Sequence, residues 1–458
     1  MLDRTSKFLP PAPTPRPRAL GPLKLLRVLL DNPLEAWTEA HFNEPIVMGG
    51  VPFVRIAVVS EPSAIRRVLL DNSDNYKKDW IQRRILSAGL SDGLLTAQSS
   101  QWRKQRRMLA PLFVPKAISR FAVAMIESAQ SMVERLDRQR GQSIDLAVEI
   151  TRVSLDVLER TIFSGGLGEN PEDIRKGMKN YFEAIGQIDP FDVFGLPASM
   201  PRLGRFKARA ALRVFDQAMD RLISVRRKQL EERPDDVARD LLTLLLQAKD
   251  AETGERLSEA EVRSNILTFI AAGHETTANC VTWALFLLSQ SPEWRERVRI
   301  EADRELDGDV DGVADRLVET RAVLEEANRL YPPITAISRA ASAPDELAGQ
   351  RIRRGTLIVI APYVLHRHRL LWSEPDCFDP TRFLGGEREK ISRFGYLPFG
   401  AGPRVCIGST FAMQEASIVL ATLVRHFRLE LEAGHEVWPV QRVSLRPKGG
   451  LPMTVEAW

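Results

Sequence analysis

Cysteine is scarce in this sequence. Only three cysteines occur among 458 residues, Cys280, Cys377 and Cys406, and no two of them form a C-x-x-C pair. An odd number of widely spaced cysteines argues against a disulfide framework and fits a protein of the reducing cytoplasm. Without a C-x-x-C pair, an iron–sulfur cluster held by this chain alone is not expected.

Other common signals are missing as well. We find no internal repeat, no low-complexity block and no N-terminal signal sequence. The net charge is only +4, from 64 basic and 60 acidic residues, and no nucleic-acid-binding motif occurs, so no nucleic-acid partner is expected. Residues 266–288 are apolar enough to be tested as a membrane span, but Glu275 in their middle would be costly in lipid. We therefore expect a cytoplasmic protein without a transmembrane anchor.

Helical patterns dominate the middle of the chain, and strand patterns lie towards both ends. Three β-hairpins are predicted, in residues 46–60 with a turn at Gly49–Gly50, in residues 351–360, and in residues 443–455. This distribution predicts a mainly α-helical fold with a small β lobe rather than alternating βαβ units.

Proline is concentrated near the N-terminus, where residues 10–17 read PPAPTPRP. Residues 1–21 are predicted to be a Pro-rich extension, and residues 22–458 to be a single domain. A short basic amphipathic stretch, residues 20–30, follows the prolines. We expect this stretch to pack on the domain, with contact to a membrane surface as the alternative.

A long helix is predicted in the centre of the sequence. Ser258 and Glu261 form a capping box at its start, and Pro292 closes its far end. The helix would span about 32 residues, or roughly 48 Å. Because it is apolar on nearly all sides, it is expected to cross the core.

The middle of this helix carries the polar sequence Ala272–Thr277, AGHETT. Gly273 weakens the helix and Thr276 can donate to the carbonyl of Ala272, so we predict a local kink with room for a small molecule and water. Glu275 beside Thr276 places an acid next to an alcohol, which indicates a catalytic proton relay. The alternative is a core helix with a tolerated polar patch. His274 is expected to be a hydrogen-bonded histidine rather than a metal ligand.

The most specific motif is FGAGPRVCIG, residues 399–408, which precedes a helical pattern from Ser409. Cys406 therefore lies just before a helix N-terminus, where free N–H groups and the helix dipole favour a thiolate. The glycines would let this thiolate approach a flat metal macrocycle closely. Two alternatives are a dinucleotide fingerprint, whose third glycine would fall at Val405, and a small buried cysteine without chemistry.

Two weaker motifs accompany the Cys406 loop. Glu326 and Arg329 lie on one helix face before a double proline, and Arg382 could join them in an Arg–Glu–Arg group that fixes the loop. Trp102 and Arg106 also share a helix face, so both could donate to one carboxylate. A surface Trp–Arg stack is the alternative for that second pair.

In their order and spacing, these four motifs resemble those of the cytochrome P-450 family of haem-thiolate monooxygenases, in its soluble bacterial form. The resemblance covers nearly the whole chain, from about residue 22 to residue 458. It implies a P-450 fold with one haem b between the long central helix and the helix that follows the Cys406 loop.

The resemblance also implies a role for each matching residue. Cys406 would be the axial ligand of the haem iron. The residues expected to shape the loop around it are Phe399, Gly402 and Gly408. The residues expected to bind the haem propionates are Trp102, Arg106, Arg339 and Arg404. The residues expected to flank the oxygen site are Ala272, Gly273, Glu275 and Thr276, the last two as the catalytic pair. The structural group would be Glu326, Arg329 and Arg382. The substrate pocket is expected to be lined by residues 80–95 and 182–196, with Ala271, Ala272 and Ile334.

The implied reaction inserts one oxygen atom from O2 into a lipophilic small molecule, by C–H hydroxylation or epoxidation. Because no reductase or iron–sulfur motif is present, electrons would come from a ferredoxin or flavodoxin with its NAD(P)H reductase. Arg103, Lys104 and Arg107 are predicted to help dock that partner. A haem-binding sensor or a peroxide-using haem-thiolate enzyme is the alternative, but the Glu275–Thr276 pair argues against both.

Overall fold

The computed structural model describes residues 8–51, 54–79, 92–164 and 203–458, with the backbone alone for 203–215. The chain divides into two compact units. The first unit comprises residues 1–79, 129–151 and 276–458, and the second comprises 80–128 and 152–275. The single domain predicted over residues 22–458 stays a prediction.

Helices make up most of the described residues. The α-helices are Pro22–Asp31 (α1), Glu39–Asn43 (α2), Pro62–Arg66 (α3), Ser99–Leu109 (α4), Pro115–Ile118 (α5), Ala122–Asp137 (α6), Leu146–Phe163 (α7), Leu203–Glu232 (α8), Leu241–Gln247 (α9), Glu259–Ser289 (α10), Pro292–Glu305 (α11), Val313–Arg316 (α12), Val318–Leu330 (α13), Pro362–Leu365 (α14), Glu387–Lys390 (α15) and Ser409–His426 (α16). Short 3-10 helices cover Pro33–Ala36, Ala110–Phe113, Ser119–Phe121, Pro234–Asp236, Pro380–Phe383 and Gly402–Arg404, and a π-helical turn covers Arg67–Asp71.

The strands are short, and those in the described residues all belong to the first unit. They are Ile46–Val51 (β1), Val54–Val59 (β2), Tyr76–Lys77 (β3), Ser143–Asp145 (β4), Ile337–Ala341 (β5), Asp345–Leu347 (β6), Gln350–Ile352 (β7), Leu357–Ile360 (β8), Phe427–Leu431 (β9), Pro439–Gln441 (β10), Leu445–Pro447 (β11) and Pro452–Ala457 (β12). The largest sheet has the order β1-β2-β8-β5-β3, and only its β2–β8 pair is parallel. The smaller sheets are β4-β12-β9, β10-β11 and β6-β7. The predicted mainly α-helical fold with a small β portion is confirmed.

The predicted hairpins are partly wrong. Gly49 and Gly50 lie inside β1, opposite Ile56 and Arg55, so the chain turns after Val51. Strands β7 and β8 do not pair with each other, because β7 pairs with β6 whereas β8 lies between β2 and β5. Strands β11 and β12 likewise belong to different sheets. Alternating apolar residues located these strands, but their partners are distant in sequence.

The long central helix is present almost as predicted. Helix α10 has 31 residues, about 46 Å at 1.5 Å per residue. The capping box forms at its start, since the Ser258 and Glu261 side chains each accept from the other residue's backbone N–H. The helix is continuous through Gly273, so the predicted kink stays a prediction.

Helix α10 contributes residues 276–289 to the first unit and residues 259–275 to the second, and each part packs against other residues of its unit. In the first unit, Trp283 stacks on Tyr331 with ring centroids 3.8 Å apart, and its indole N–H donates to the carbonyl of Leu445. In the second unit, the backbone N–H of Leu94 donates to the Asn265 side chain, which in turn donates to Gln105. These contacts fix α13 and α4 on α10.

The Pro-rich segment lies in extended form on the first unit. The carbonyl of Phe8 accepts from the backbone N–H of Phe378 at 3.0 Å, and that of Pro11 accepts from the Tyr331 hydroxyl at 2.8 Å. The backbone N–H of Arg16 donates to the carbonyl of Trp37. The segment therefore forms part of the packing of this unit.

Among the described residues, no single helix combines the length and the apolar composition that crossing a membrane requires. The broken pair Ser99–Phe113 and Pro115–Asp137, bent by 64°, meets the test by length and composition alone.

Candidate functional site

Cys406 lies in a tight loop between the 3-10 turn Gly402–Arg404 and the N-terminus of α16. Its backbone N–H donates to the carbonyl of Phe399 at 2.9 Å, which closes the loop. All three cysteines lie within the described residues and none forms a disulfide; the Cys406 side chain is exposed whereas Cys280 is buried. An exposed thiol ahead of a helix N-terminus is where the helix dipole favours a thiolate.

Glycine is required at one position of this loop and tolerated at another. Gly402 has φ +73°, and a Cβ added there would lie 1.8 Å from the carbonyl oxygen of Leu69. No other residue fits this approach of two backbones. Gly408 has φ −88°, and a Cβ there would meet nothing within 4 Å. Of the two glycines predicted to shape the loop, the fold of the protein itself demands only Gly402, while Gly408 borders open space.

His366 is a buried residue that joins the loop to the rest of the first unit. Its Nε2 accepts from the backbone N–H of Leu397 at 2.8 Å, just before Phe399, and its ring lies 5.0 Å from that of Tyr396. Burial, with the repulsion of Arg329 and Arg367, lowers the pKa of His366 to about 3. The imidazole is therefore neutral, as an acceptor must be.

Arg329, on α13, binds His366 and the segment that follows it. All five of its guanidinium N–H groups are engaged: two donate to the Glu326 carboxylate at 2.6 and 2.8 Å, and three to backbone carbonyls. Those carbonyls belong to His366 (2.8 Å), Pro375 (2.6 Å) and Cys377 (2.9 Å). Glu326 also accepts from the backbone N–H of Asp379 at 2.8 Å. Arg329 thus cross-links α13 to the segment that leads to the Cys406 loop.

Arg382 completes the predicted group at a longer distance. Its Nε lies 3.6 Å from the Glu326 carboxylate, and its Nη2 donates to the carbonyl of Glu374 at 2.9 Å. Both Glu326 and Arg329 are fully buried. The structure therefore brings Glu326, Arg329 and Arg382 together in the first unit.

A cluster of cations, partly missed by the sequence analysis, lies beside β5. Burial, and then repulsion from Arg404 and Arg339, lowers the pKa of Lys78 to about 7. Burial likewise lowers the pKa of Arg339, although attraction to Asp79 opposes this. Strand β3 pairs antiparallel with β5, and continuing its register places Lys78 opposite Arg339. This cluster of three cations and one carboxylate favours an anion. The adjacent YKKD sequence gave no periodic signal that could have identified it.

The predicted oxygen-site residues form the accessible part of a buried helix. Helix α10 is buried over residues 264–270 and 277–288, whereas Ala271 to Thr276 are half-buried or exposed, apart from His274. The His274 imidazole Nδ1 lies 2.7 Å from the carbonyl of Ile270, and burial lowers its pKa. His274 is thus a hydrogen-bonded core histidine. Glu275 and Thr276 are consecutive residues in the accessible stretch.

Trp102 and Arg106 lie one turn apart on α4 in the second unit, and both are half-buried. Their neighbours on this helix are engaged with acids of the same unit. Lys104 donates to the Glu255 carboxylate at 2.6 Å, and Arg107 forms two hydrogen bonds with Asp250 at 2.8 and 3.1 Å. Two of the three cations predicted to dock a redox partner are therefore neutralised within the unit, and Arg103 is exposed.

Only part of the predicted substrate lining lies within the described residues. Ile334 is 43% exposed and Ala271 is half-buried, whereas residues 80–91 and 182–196 lie outside the described residues. Within the described part of the chain, no group of three or more His, Cys, Asp or Glu side chains could hold a metal ion.

Comparison with known proteins gives a consistent result. The family model for Cytochrome P450 matches residues 10–452. Cyclooctatin synthase of Streptomyces melanosporofaciens is 33% identical over 84% of this chain and 83% of its own length, and Cyclooctat-9-en-7-ol 5-monooxygenase of the same organism is 31% identical over 88% and 86%. The crystal structure of the cytochrome P450DA heme domain superposes with a TM-score of 0.84 at 25% identity, covering 98% of both chains. The chain therefore belongs to the cytochrome P450 family, as an oxidoreductase of the monooxygenase type whose cofactor is haem b.

Proposed function

We propose that this protein inserts one atom of O2 into a lipophilic small molecule, by C–H hydroxylation or epoxidation, with electrons from separate redox proteins. The observation that carries the proposal is the Cys406 loop. It presents an exposed thiol ahead of α16, closed by the bond to Phe399 and set against Leu69 at Gly402. In haem-thiolate enzymes, a cysteine thiolate holds the haem iron and favours cleavage of the O–O bond.

The residues present suit haem b. The thiol of Cys406 is a soft ligand suited to iron, and the open space beside Gly408 leaves room next to it. Lys78, Arg339 and Arg404 place excess positive charge where two propionates would be favoured. We propose these three as propionate ligands; the same role for Trp102 and Arg106 stays a prediction from the sequence.

When bound, haem supplies the activation of oxygen and the electron-transfer chemistry. Cys406 would hold the haem iron through its sulfur, kept as a thiolate by the N-terminal end of α16. The roles of Arg329 and His366 are to keep this loop in place. Arg329 donates to the carbonyl of His366, and His366 accepts from Leu397 at the start of the loop.

Glu275 and Thr276 are proposed to move protons. The Thr276 hydroxyl can both accept and donate a hydrogen bond, and the Glu275 carboxylate can take up a proton from solvent and release it. Both lie in the accessible stretch of an otherwise buried helix, which supports their contact with a bound molecule. Ala272, which is exposed and carries only a methyl group, would leave room for oxygen beside it, whereas Gly273 packs against Leu158.

The substrate class is proposed from the relatives. One relative's name describes the oxidation of Cyclooctat-9-en-7-ol, an unsaturated alcohol, at its position 5. A carbon-rich molecule of that kind suits an exposed apolar side chain such as Ile334, which is 43% exposed. We propose a lipophilic alkene, alcohol or hydrocarbon as the substrate.

A ferredoxin or flavodoxin with its NAD(P)H reductase is the proposed electron source. Since Lys104 and Arg107 are paired with acids, Arg103 is the residue of the predicted set that remains for docking. If an acidic partner docks here, Arg103→Glu should lower the electron-transfer rate and its dependence on salt. A cytoplasmic location stays a prediction from the sequence.

The thiolate ligand is tested with carbon monoxide. The reduced, haem-loaded protein should show the Soret shift that a thiolate-ligated haem gives with CO. Cys406→Ser should lose this shift, while Cys377→Ser, a matched change at a half-buried cysteine, should keep it. Retention of the shift in Cys406→Ser would overturn the proposal.

The proton relay is tested by coupling efficiency. Thr276→Ala is expected to consume oxygen and release peroxide instead of product. Thr282→Ala is the control, because it removes a hydroxyl from the same helix at a buried position where Thr282 bonds to the carbonyl of Ala278. Equal coupling in both variants would refute the relay. Product formation from peroxide alone would favour the peroxide-using alternative, and no product under any condition would favour a sensor.

A further inference from the structure

Helix α1 is an apolar helix that the protein covers only in part. It reads PLKLLRVLLD, and none of its residues is buried. Leu23 is 84% exposed, Leu30 44% and Leu29 39%. Only Leu25, Leu26 and Val28 are half-buried, so the predicted packing on the domain is limited to part of the helix. Large apolar side chains exposed side by side mark an interaction surface.

Helix α1 is also amphipathic, with a charged side and a wider apolar side. Lys24, Arg27 and Asp31 recur at intervals of three and four residues, so they share one side. The leucines occupy the remaining, wider side. Both Lys24 and Arg27 are exposed. A short helix with this division lies flat in a lipid surface, its apolar side among the acyl chains and its cations at the headgroups.

The charge of the chain is concentrated at this end. Residues 1–31, to the end of α1, hold six basic and two acidic residues, an excess of four positive charges, which equals the net charge of the whole chain. The basic residues are Arg4, Lys7, Arg16, Arg18, Lys24 and Arg27. The rest of the molecule is thus close to neutral, and the complement of this segment is an anionic surface.

The helix is held at a fixed place on the first unit. Asn32, which follows it, donates to the carbonyl of Pro439 at 3.0 Å and accepts from the backbone N–H of Gln441 at 3.1 Å. The hairpin anchored in this way carries two more exposed apolar side chains, Trp438 at 38% and Val443 at 45%. Tryptophan is a residue that favours the membrane–water interface.

We propose that α1 attaches this protein peripherally to an anionic lipid bilayer. The exposed leucines enter the interface, and the excess positive charge of residues 1–31 binds the anionic headgroups. Leucines on a mostly solvent-exposed helix fit lipid better than an acidic protein surface, which would meet the cations but leave the apolar side uncovered.

The test measures binding of the full-length protein to sedimenting vesicles. Vesicles of phosphatidylcholine alone are compared with vesicles that also contain phosphatidylglycerol, at low and high salt. We expect binding to the anionic vesicles only, reduced by salt. The variant Lys24→Gln/Arg27→Gln should bind about 30-fold more weakly, since each cation at an anionic surface contributes a factor of about five. The variant Leu23→Ser/Leu29→Ser/Leu30→Ser should lose at least about a hundredfold.

Matched control variants distinguish binding by α1 from non-specific binding of exposed leucines and cations. Leu370→Ser removes a leucine that is 71% exposed elsewhere on the first unit, and Arg353→Gln/Arg354→Gln removes two exposed cations. Both controls should bind as the parent does, and all variants should unfold at the parent's urea midpoint. The proposal is overturned if the parent does not bind anionic vesicles at low salt, or if the controls lose as much as the α1 variants. It is also overturned if the α1 variants alter only electron transfer from a ferredoxin, which would make α1 a protein-docking helix.

Discussion

Replacing Arg329 by methionine removes five hydrogen bonds from the interior of the first unit. Two of them neutralise Glu326, and three satisfy the carbonyls of His366, Pro375 and Cys377. Breaking a buried ion pair by removing one partner costs about 3–5 kcal/mol. Each buried acceptor left without a donor costs about 1–3 kcal/mol more. The sum, roughly 6–14 kcal/mol, is comparable with the entire stability of a folded protein, so Arg329→Met should not fold.

Two further variants turn this expectation into a measurement. Arg329→Lys keeps the charge but has three donors for five bonds, so it should fold with a loss of roughly 2–6 kcal/mol. In Glu326→Met/Arg329→Met the buried ion pair is absent, but the three carbonyls still lack donors, the backbone N–H of Asp379 lacks its acceptor, and Arg382 lacks its carboxylate partner. Urea unfolding followed by circular dichroism gives the free energy of each variant. If Arg329 mainly cross-links backbone segments, the double variant stays well below the parent; if it is mainly an ion-pair partner, the double variant approaches or exceeds the parent. Parent-like stability in the double variant would refute this reasoning.

Three more expectations follow from the first unit. Gly402→Ala should abolish the thiolate-type CO spectrum, because its Cβ would collide with the carbonyl of Leu69, whereas Gly408→Ala should still fold with the parent's circular dichroism spectrum. The pKa of His366 is lowered from 6.5 to about 3, so between these pH values the unfolded chain binds a proton that the folded chain does not. The free energy of unfolding should therefore fall as the pH drops below about 6.5, and His366→Gln should flatten this slope in urea titrations. Because the pKa of Lys78 is lowered to about 7, the haem-free protein should gain stability as pH rises from about 7 towards 10.5, and Lys78→Met should remove that gain. A haem-free protein whose stability is independent of pH in that range would contradict the cation cluster.

The features that the sequence predicts well are those carried by neighbouring residues. The capping box at Ser258 and Glu261, the helix that follows the Cys406 loop, and the pairing of Glu326 with Arg329 each involve residues within a few positions of one another. Their geometry follows from helix periodicity and local hydrogen bonding, which need no knowledge of the rest of the fold.

The features that it misses depend on contacts between distant segments. No local pattern shows that β8 pairs with β2 and β5 rather than with β7, or that Arg329 reaches three carbonyls up to 48 positions away. The same holds for Lys78, whose pKa is lowered by burial and then by two cations far along the chain. The same holds for the ion pairs of Lys104 with Glu255 and of Arg107 with Asp250, which join residues 151 and 143 positions apart.

Helix α1 combines a local feature, its amphipathic pattern, with a non-local one, the surface that its apolar side contacts. Its period of three and four residues establishes that one side is apolar, but a period is a property of the helix alone and does not identify what the apolar side meets. Burial supplies the missing fact: the apolar side of α10 is covered by the protein, while that of α1 is left largely to solvent. Exposure of this kind has an unfavourable free energy in water, which a covering surface would remove. With the excess charge of the chain gathered around it, that surface should be anionic, and vesicle binding by the leucine variants decides whether it is lipid.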